Sequence, residues 1–94
     1  VLADANNQII HPNADTTPRT FTIDSNANVP YPIGTTLTFL NGNNGSNVTI
    51  AITSDTLQLL PAGTGGSRTL AAPGVAIAYK INATWWLIWG SGLT

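Results

Sequence analysis

The chain is 94 residues long, with only 7% of them charged, a formal net charge of -1, no Cys and no run of basic residues. That length holds one domain around one core, which buries roughly 60–65% of its unfolded surface and has no disulfide to help it. The charge balance excludes the basic footprint of a nucleic-acid binder, and no stretch approaches the ~20 apolar residues of a membrane span, so neither nucleic acid nor a membrane is an expected partner.

Residues 1–18 read as an N-terminal arm or first strand, ahead of a β core over 19–94. The opening VLADANNQ has no initiator Met and lacks the make-up of a signal peptide, as expected of a processed product or of a domain cut from a longer chain. Period-two alternation then recurs between turn residues, the pattern of short strands. Residues 20–24 place Phe21 and Ile23 on one face and Thr20 and Thr22 on the other. Residues 25–34 contain Pro30, Pro32 and Gly34, so they read as a connection, packed through Val29, Tyr31 and Ile33. Residues 35–40 turn Leu37 and Phe39 inward, Asn41-Gly42-Asn43-Asn44-Gly45-Ser46 is a turn cluster, and 47–53 alternate again. Together they predict a β-hairpin with a mobile, solvated tip. Leu57-Gln58-Leu59-Leu60 is a short strand stopped by Pro61, Ala62-Gly63-Thr64-Gly65-Gly66-Ser67 a flexible loop, and 68–71 an edge strand.

The last pair is the best defined. Val75, Ile77, Tyr79 and Ile81 line one face of a strand, Trp85, Leu87 and Trp89 one face of the next, and Asn82-Ala83-Thr84 is a link short enough to make them antiparallel neighbours. With that larger apolar set directed to the core, Lys80, Trp86 and Ile88 project the other way, so Lys80 is expected to face solvent or an interface. Helical spacing is missing throughout, and the polar half of the chain is built on fourteen Thr and ten Asn, which suit strands and turns. The expectation is an all-β fold: a compact antiparallel β-sandwich or jelly-roll-like domain of six to eight short strands.

Chemistry has little to work with. The ionisable set is Asp4, Asp15, Asp24, Asp55, Arg19, Arg68, Lys80 and His11, with no Glu. A single imidazole without Cys or a second His does not build a zinc site, so His11 reads as a structural hydrogen-bonding residue. No nucleophile elbow singles out a serine, and no aspartate belongs to a D-x-D-x-D calcium pattern. Gly63-Thr64-Gly65-Gly66-Ser67 lacks the Lys and the following helix that make a phosphate cradle work. The matches to the N-glycosylation pattern at Asn44, Asn47 and Asn82 are what chance produces in a chain so rich in Asn and Thr. No catalytic residue, cofactor or metal is expected.

The densest aromatic cluster is Trp85-Trp86-Leu87-Ile88-Trp89. If Trp85 and Trp89 fill the core, Trp86 and Ile88 form an exposed apolar pair, which calls for burial against something. A subunit interface is one occupant, and a sugar ring stacked on Trp86 the other.

Residues 19–35, RTFTIDSNANVPYPIGT, followed in order by Val48-Thr49-Ile50-Ala51, Asp55-Thr56-Leu57, Arg68-Thr69-Leu70-Ala71, Gly74-Val75-Ala76 and the closing Trp86-Leu87-Ile88-Trp89-Gly90-Ser91-Gly92-Leu93-Thr94, resemble a structural module of tailed-bacteriophage virions, often found at the C-terminal end of tail-fibre-like chains. The resemblance covers nearly all of the chain, although the family more usually has a small or polar residue in place of Trp89. It implies a homotrimer, other virion proteins as neighbours, a location on the phage tail or capsid surface, and no enzymatic activity. On that footing a tail fibre or spike module assisting attachment to the host cell surface is expected, a bacterial surface glycan being one candidate partner, with the loops 41–46 and 62–67 as contact tips. A capsid decoration protein is the alternative, and a carbohydrate-binding module outside any virion a second.

Overall fold

The structure is a computed structural model describing residues 6–43, 45–60 and 62–94. Among these, every regular element is a strand: β1 (Gln8–His11), β2 (Arg19–Ile23), β3 (Thr36–Asn41), β4 (Val48–Ile52), β5 (Thr56–Leu59), β6 (Arg68–Asn82) and β7 (Trp85–Leu93). They form one curled sheet whose main path runs β1-β3-β6-β4-β2, with β7 on the opposite edge of β6 and β5 paired to β7. The all-β expectation therefore holds in its general form.

The pairing is mixed, not purely antiparallel. β1 runs parallel to β3, β2 to β4, and β5 to β7. The partners lie about one coil of chain apart: His11 meets Asn41 across 30 positions and Asn26 meets Asp55 across 29. Side chains tie successive coils together, with Thr36 N–H donating to Asn6 Oδ1 at 3.0 Å, Asn43 N–H to Asn13 Oδ1 at 2.8 Å, and Ser46 Oγ to Thr16 O. Consequently the hairpin expected over 35–53 does not form. β3 and β4 each take a parallel partner from the preceding coil and an antiparallel partner in β6, so the 41–46 cluster is a corner of the coil. Residues 68–71 are likewise no separate edge strand but the start of a 15-residue strand, β6, which pairs β4 through Arg68–Leu70 and then β3 from Gly74 onward.

β6 and β7 do form the expected antiparallel pair, from Asn82↔Trp85 to Leu70↔Leu93. Their faces are the reverse of the expected ones. Trp86 (1% exposed) and Ile88 (0%) lie in the core with Ala76, Ala78 and Lys80, alongside Ile23, Tyr31, Leu37, Phe39, Val48, Ile50, Leu57 and Leu70. The reason is volume. The domain measures only 18 Å across its thinnest axis, and on the inner face small residues alternate with large ones: Ala78 lies opposite Ile88, while Trp86, opposite Lys80, meets Tyr31 edge to face at 5.5 Å. Gly90 serves the same close approach, because a Cβ there would sit 2.6 Å from the Ala76 Cα. Beside Ala76, Phe39 of β3 stacks on Phe21 of β2 at 6.1 Å.

Lys80 is correspondingly not solvent-facing. Its Nζ donates to Asn26 Oδ1 and to Tyr31 O, both at 2.7 Å, and lies 5.9 Å from the Trp86 ring centroid. These bonds hold the connection between β2 and β3 against β6, where Tyr31 is buried, Val29 partly buried and Ile33 exposed. Trp86→Ala should cost about 3–5 kcal/mol in urea unfolding, the range for emptying a buried aromatic site. Trp89→Ala, on the other face of the same strand, should cost about 1 kcal/mol or less.

Candidate interaction face

The reversal of β6 and β7 leaves the larger apolar set outside. Residues paired across strands share a face, so the register defines three rows on the outer surface: Ile10, Leu40, Val75 and Ser91; Gln8, Thr38, Ile77 and Trp89; and Thr36, Tyr79, Leu87 and Gln58. Trp85 extends the last of these beside Thr56. Trp85 and Trp89 are four residues apart along β7, about 13 Å at strand rise. Tyr79, opposite Leu87, falls between them on the neighbouring strand.

Not one residue of these rows carries a formal charge. Ile10, Val75, Tyr79, Trp85 and Trp89 are 37 to 57% exposed. The β2–β4 side of the sheet is the contrast: its outward residues are Thr20, Thr22, Thr49, Ala51 and Thr69. One side of the molecule thus has an ordinary wet β surface, and the other an aromatic one.

Trp86 and Ile88, the residues expected to stack on a sugar or a subunit, are buried and unavailable for either role; Trp85, Trp89 and Tyr79 occupy the exposed positions instead. The signal for this was the small residues on the inner face, Ala78 opposite Ile88 and Ala76 opposite Gly90, with Trp86 opposite Lys80. Lys80 on the same face concealed it.

The two expected contact loops are also more constrained than tips. Asn41 is 2% exposed and structural: it accepts from His11 Nδ1 at 2.7 Å and donates through Nδ2 to Ser46 O at 2.8 Å and Leu70 O at 2.9 Å. Gly42 packs against Asn13, leaving no space for a Cβ, and Ser46 is tied to Thr16. Asn43 and Gly45 are exposed, and Asn44 lies outside the described residues. In the second loop Gly63, Thr64, Gly65, Gly66 and Ser67 are all exposed, but their backbone is knitted to β5. Gly63 N–H donates to Leu59 O at 2.7 Å, Leu59 N–H to Thr64 O at 2.8 Å and Gly66 N–H to Leu57 O at 3.0 Å. Arg68 Nε adds bonds to Gly66 O at 3.1 Å and Ser67 O at 2.9 Å, and Ser67 Oγ accepts from Ile52 N–H at 3.1 Å.

Three ionisable residues of the first coil form a brace. His11, 1% exposed, places Nε2 3.3 Å from Asp15 Oδ2, and Arg19 Nε donates to the same oxygen at 2.7 Å. The Arg19 hydrogen bond, followed by the Thr17 N–H, holds the Asp15 carboxyl down at about 2, below its ordinary 3.8. A depressed carboxyl pKa stabilises the fold fully above the ordinary value, and that contribution is lost as pH falls through the folded value. Urea unfolding should therefore show stability declining between pH 3.8 and about 2, with a shallower decline in Asp15→Asn.

No protein-family model, no curated protein and no solved structure matches the chain.

Proposed function

We propose that this chain is a non-enzymatic structural module of a bacteriophage virion, in a tail fibre or spike that assists attachment to the host surface, and that it assembles with copies of itself through the outer face of β3, β6 and β7. The observation that carries the assembly is the uncharged aromatic face. A lone domain exposing Trp85, Trp89, Tyr79, Val75 and Ile10 side by side presents roughly 500 Å² of apolar surface, near the upper end of what monomers leave in water. With the flanking Thr and Gln positions the patch approaches the ~800 Å² per partner of a stable interface. Depletion of charge and enrichment of aromatics mark interface centres, and a face without charge meets its own copy with no like-charge repulsion.

In this reading the curled sheet acts as a small β-sandwich, with its Thr-rich side to water and its aromatic side to neighbouring copies. The trimer follows from the resemblance to tail-fibre modules, as does the virion location. The exposed residues Asn43 and Gly45 and the loop 63–67 remain the positions suited to host contact. A sugar-binding role is the second reading, favoured by the spacing of Trp85, Tyr79 and Trp89 along one uncharged face.

Light scattering at micromolar concentration should report a trimer, and Trp89→Lys should reduce it to monomer with an unchanged circular-dichroism spectrum, since Trp89 is outside the core. A monomeric wild-type protein would remove the assembly reading. Binding to a glycan array that Trp89→Ala abolishes would favour the sugar reading. Imaging of intact particles should place the chain on the tail; a position on the head would make it a decoration protein.

A further inference from the structure

Lys80 is the reactive group of the core, and its surroundings are unusual for a lysine. The side chain is 1% exposed and its amine points at the side-chain carbonyl of Asn26, 2.7 Å from Oδ1. Beside this pair stands Asp55, whose Oδ2 accepts the Asn26 backbone N–H at 2.8 Å and whose charge acts on Lys80. The Trp86 ring centroid lies 5.9 Å from the amine, and Tyr31 O accepts from it at 2.7 Å. Burial pushes the Lys80 pKa down from the usual lysine range, against the pull of Asp55, which raises the share of free amine. A desolvated amine is a nucleophile, and this one is held against the carbonyl oxygen of Asn26, one bond from the carbon that an acyl transfer attacks.

We propose that Lys80 and Asn26 join in an intramolecular amide cross-link, with Asp55 carrying the protons. The Asp55 carboxylate, which acts on Lys80 by its charge from beyond ion-pair distance, closes on the Lys80 ammonium and takes a proton from it. The freed Nζ lone pair bonds to Asn26 Cγ, whose carbonyl electrons move onto Oδ1. Asp55 hands its proton to Nδ2; the C=O bond re-forms, the Cγ–Nδ2 bond breaks and ammonia departs. The proton left on the new amide nitrogen returns to Asp55 and goes from there to the ammonia. The balance is ammonium plus carboxamide to secondary amide plus ammonium ion, with nothing oxidised or reduced and no outside reagent.

The product fits the needs of the fold. The link spans 54 positions of chain and fastens the β2–β3 connection to the long strand β6. In a thin core without cysteine it supplies the covalent closure that small domains elsewhere take from disulfides. It also replaces a buried ammonium by a neutral amide, removing the desolvation cost of the charge. The proposal stands independently of self-assembly, because all three residues belong to one copy.

The test is the intact mass of the purified protein, followed by peptide mapping. The expected result is a mass lower than the sequence mass by one ammonia, with the peptides holding Asn26 and Lys80 recovered as a joined pair. Asn26→Ala, Lys80→Arg and Asp55→Ala should each return to their full sequence masses. Because Asp55→Ala keeps both reacting residues, it reports on the proton carrier even if a core variant fails to fold. Asn41-Gly42 and Asn44-Gly45 can also lose ammonia by closing to succinimides, so the joined pair decides. An unchanged mass after prolonged incubation of the folded protein at neutral pH overturns the proposal. So does a loss of ammonia without the joined peptides, or one that persists in Lys80→Arg.

Discussion

Everything else in this domain depends on which side of β6 faces inward. β6 touches β3 and β4 on one edge and β7 on the other, so its orientation sets the faces of most of the sheet. Where it pairs with β3 and β7 its inward residues, beyond the buried Leu70 near its start, are Ala76, Ala78 and Lys80, a poor set by hydrophobicity alone. They succeed because the neighbouring strand sets Ile88 opposite Ala78 and Trp86 opposite Lys80, and because the lysine finds two acceptors in Asn26 and Tyr31. Packing complementarity outweighs raw apolar area here, since a core this thin has no room for two layers of large side chains.

That choice exports the surplus. Once Trp86 is inside, Trp85 and Trp89 must be outside, and with them Tyr79, Val75 and Ile77. The aromatic face is thus a direct consequence of how the core is filled. The scarcity of charge in the chain makes such a face workable: the positions around it that would ordinarily carry Lys or Glu carry Thr and Gln, so the patch is not interrupted. The same economy leaves its few ionisable residues in specific places, Asp15 and Arg19 bracing the first coil and Lys80 in the core beside Asp55.

The stacked coils explain how so small a domain holds its shape. Parallel partners a coil apart repeat the pairing β1 to β3 and β2 to β4, and short polar side chains bridge the same offset. The abundance of Asn has a local cause in this arrangement. Asn6, Asn13, Asn26 and Asn41 each bridge to the backbone or side chains of a distant segment. They supply hydrogen bonds at the corners where the ladder cannot.

From the sequence alone, the strand content, the position of most strands and the antiparallel closure of β6 on β7 were determined, because alternation and turn residues are local signals. Alternation also divided β6 and β7 correctly into two sets of residues. It could not say which set was the inner one, since both contain large apolar side chains and hydrophobicity ranks them in the wrong order. Nor could it reveal the parallel pairing of β1 with β3 or β2 with β4, which brings together residues about 30 positions apart with no turn between them to announce it. Only the tertiary structure decided those questions, and with them that the aromatic face lies outside and Lys80 against Asn26 within.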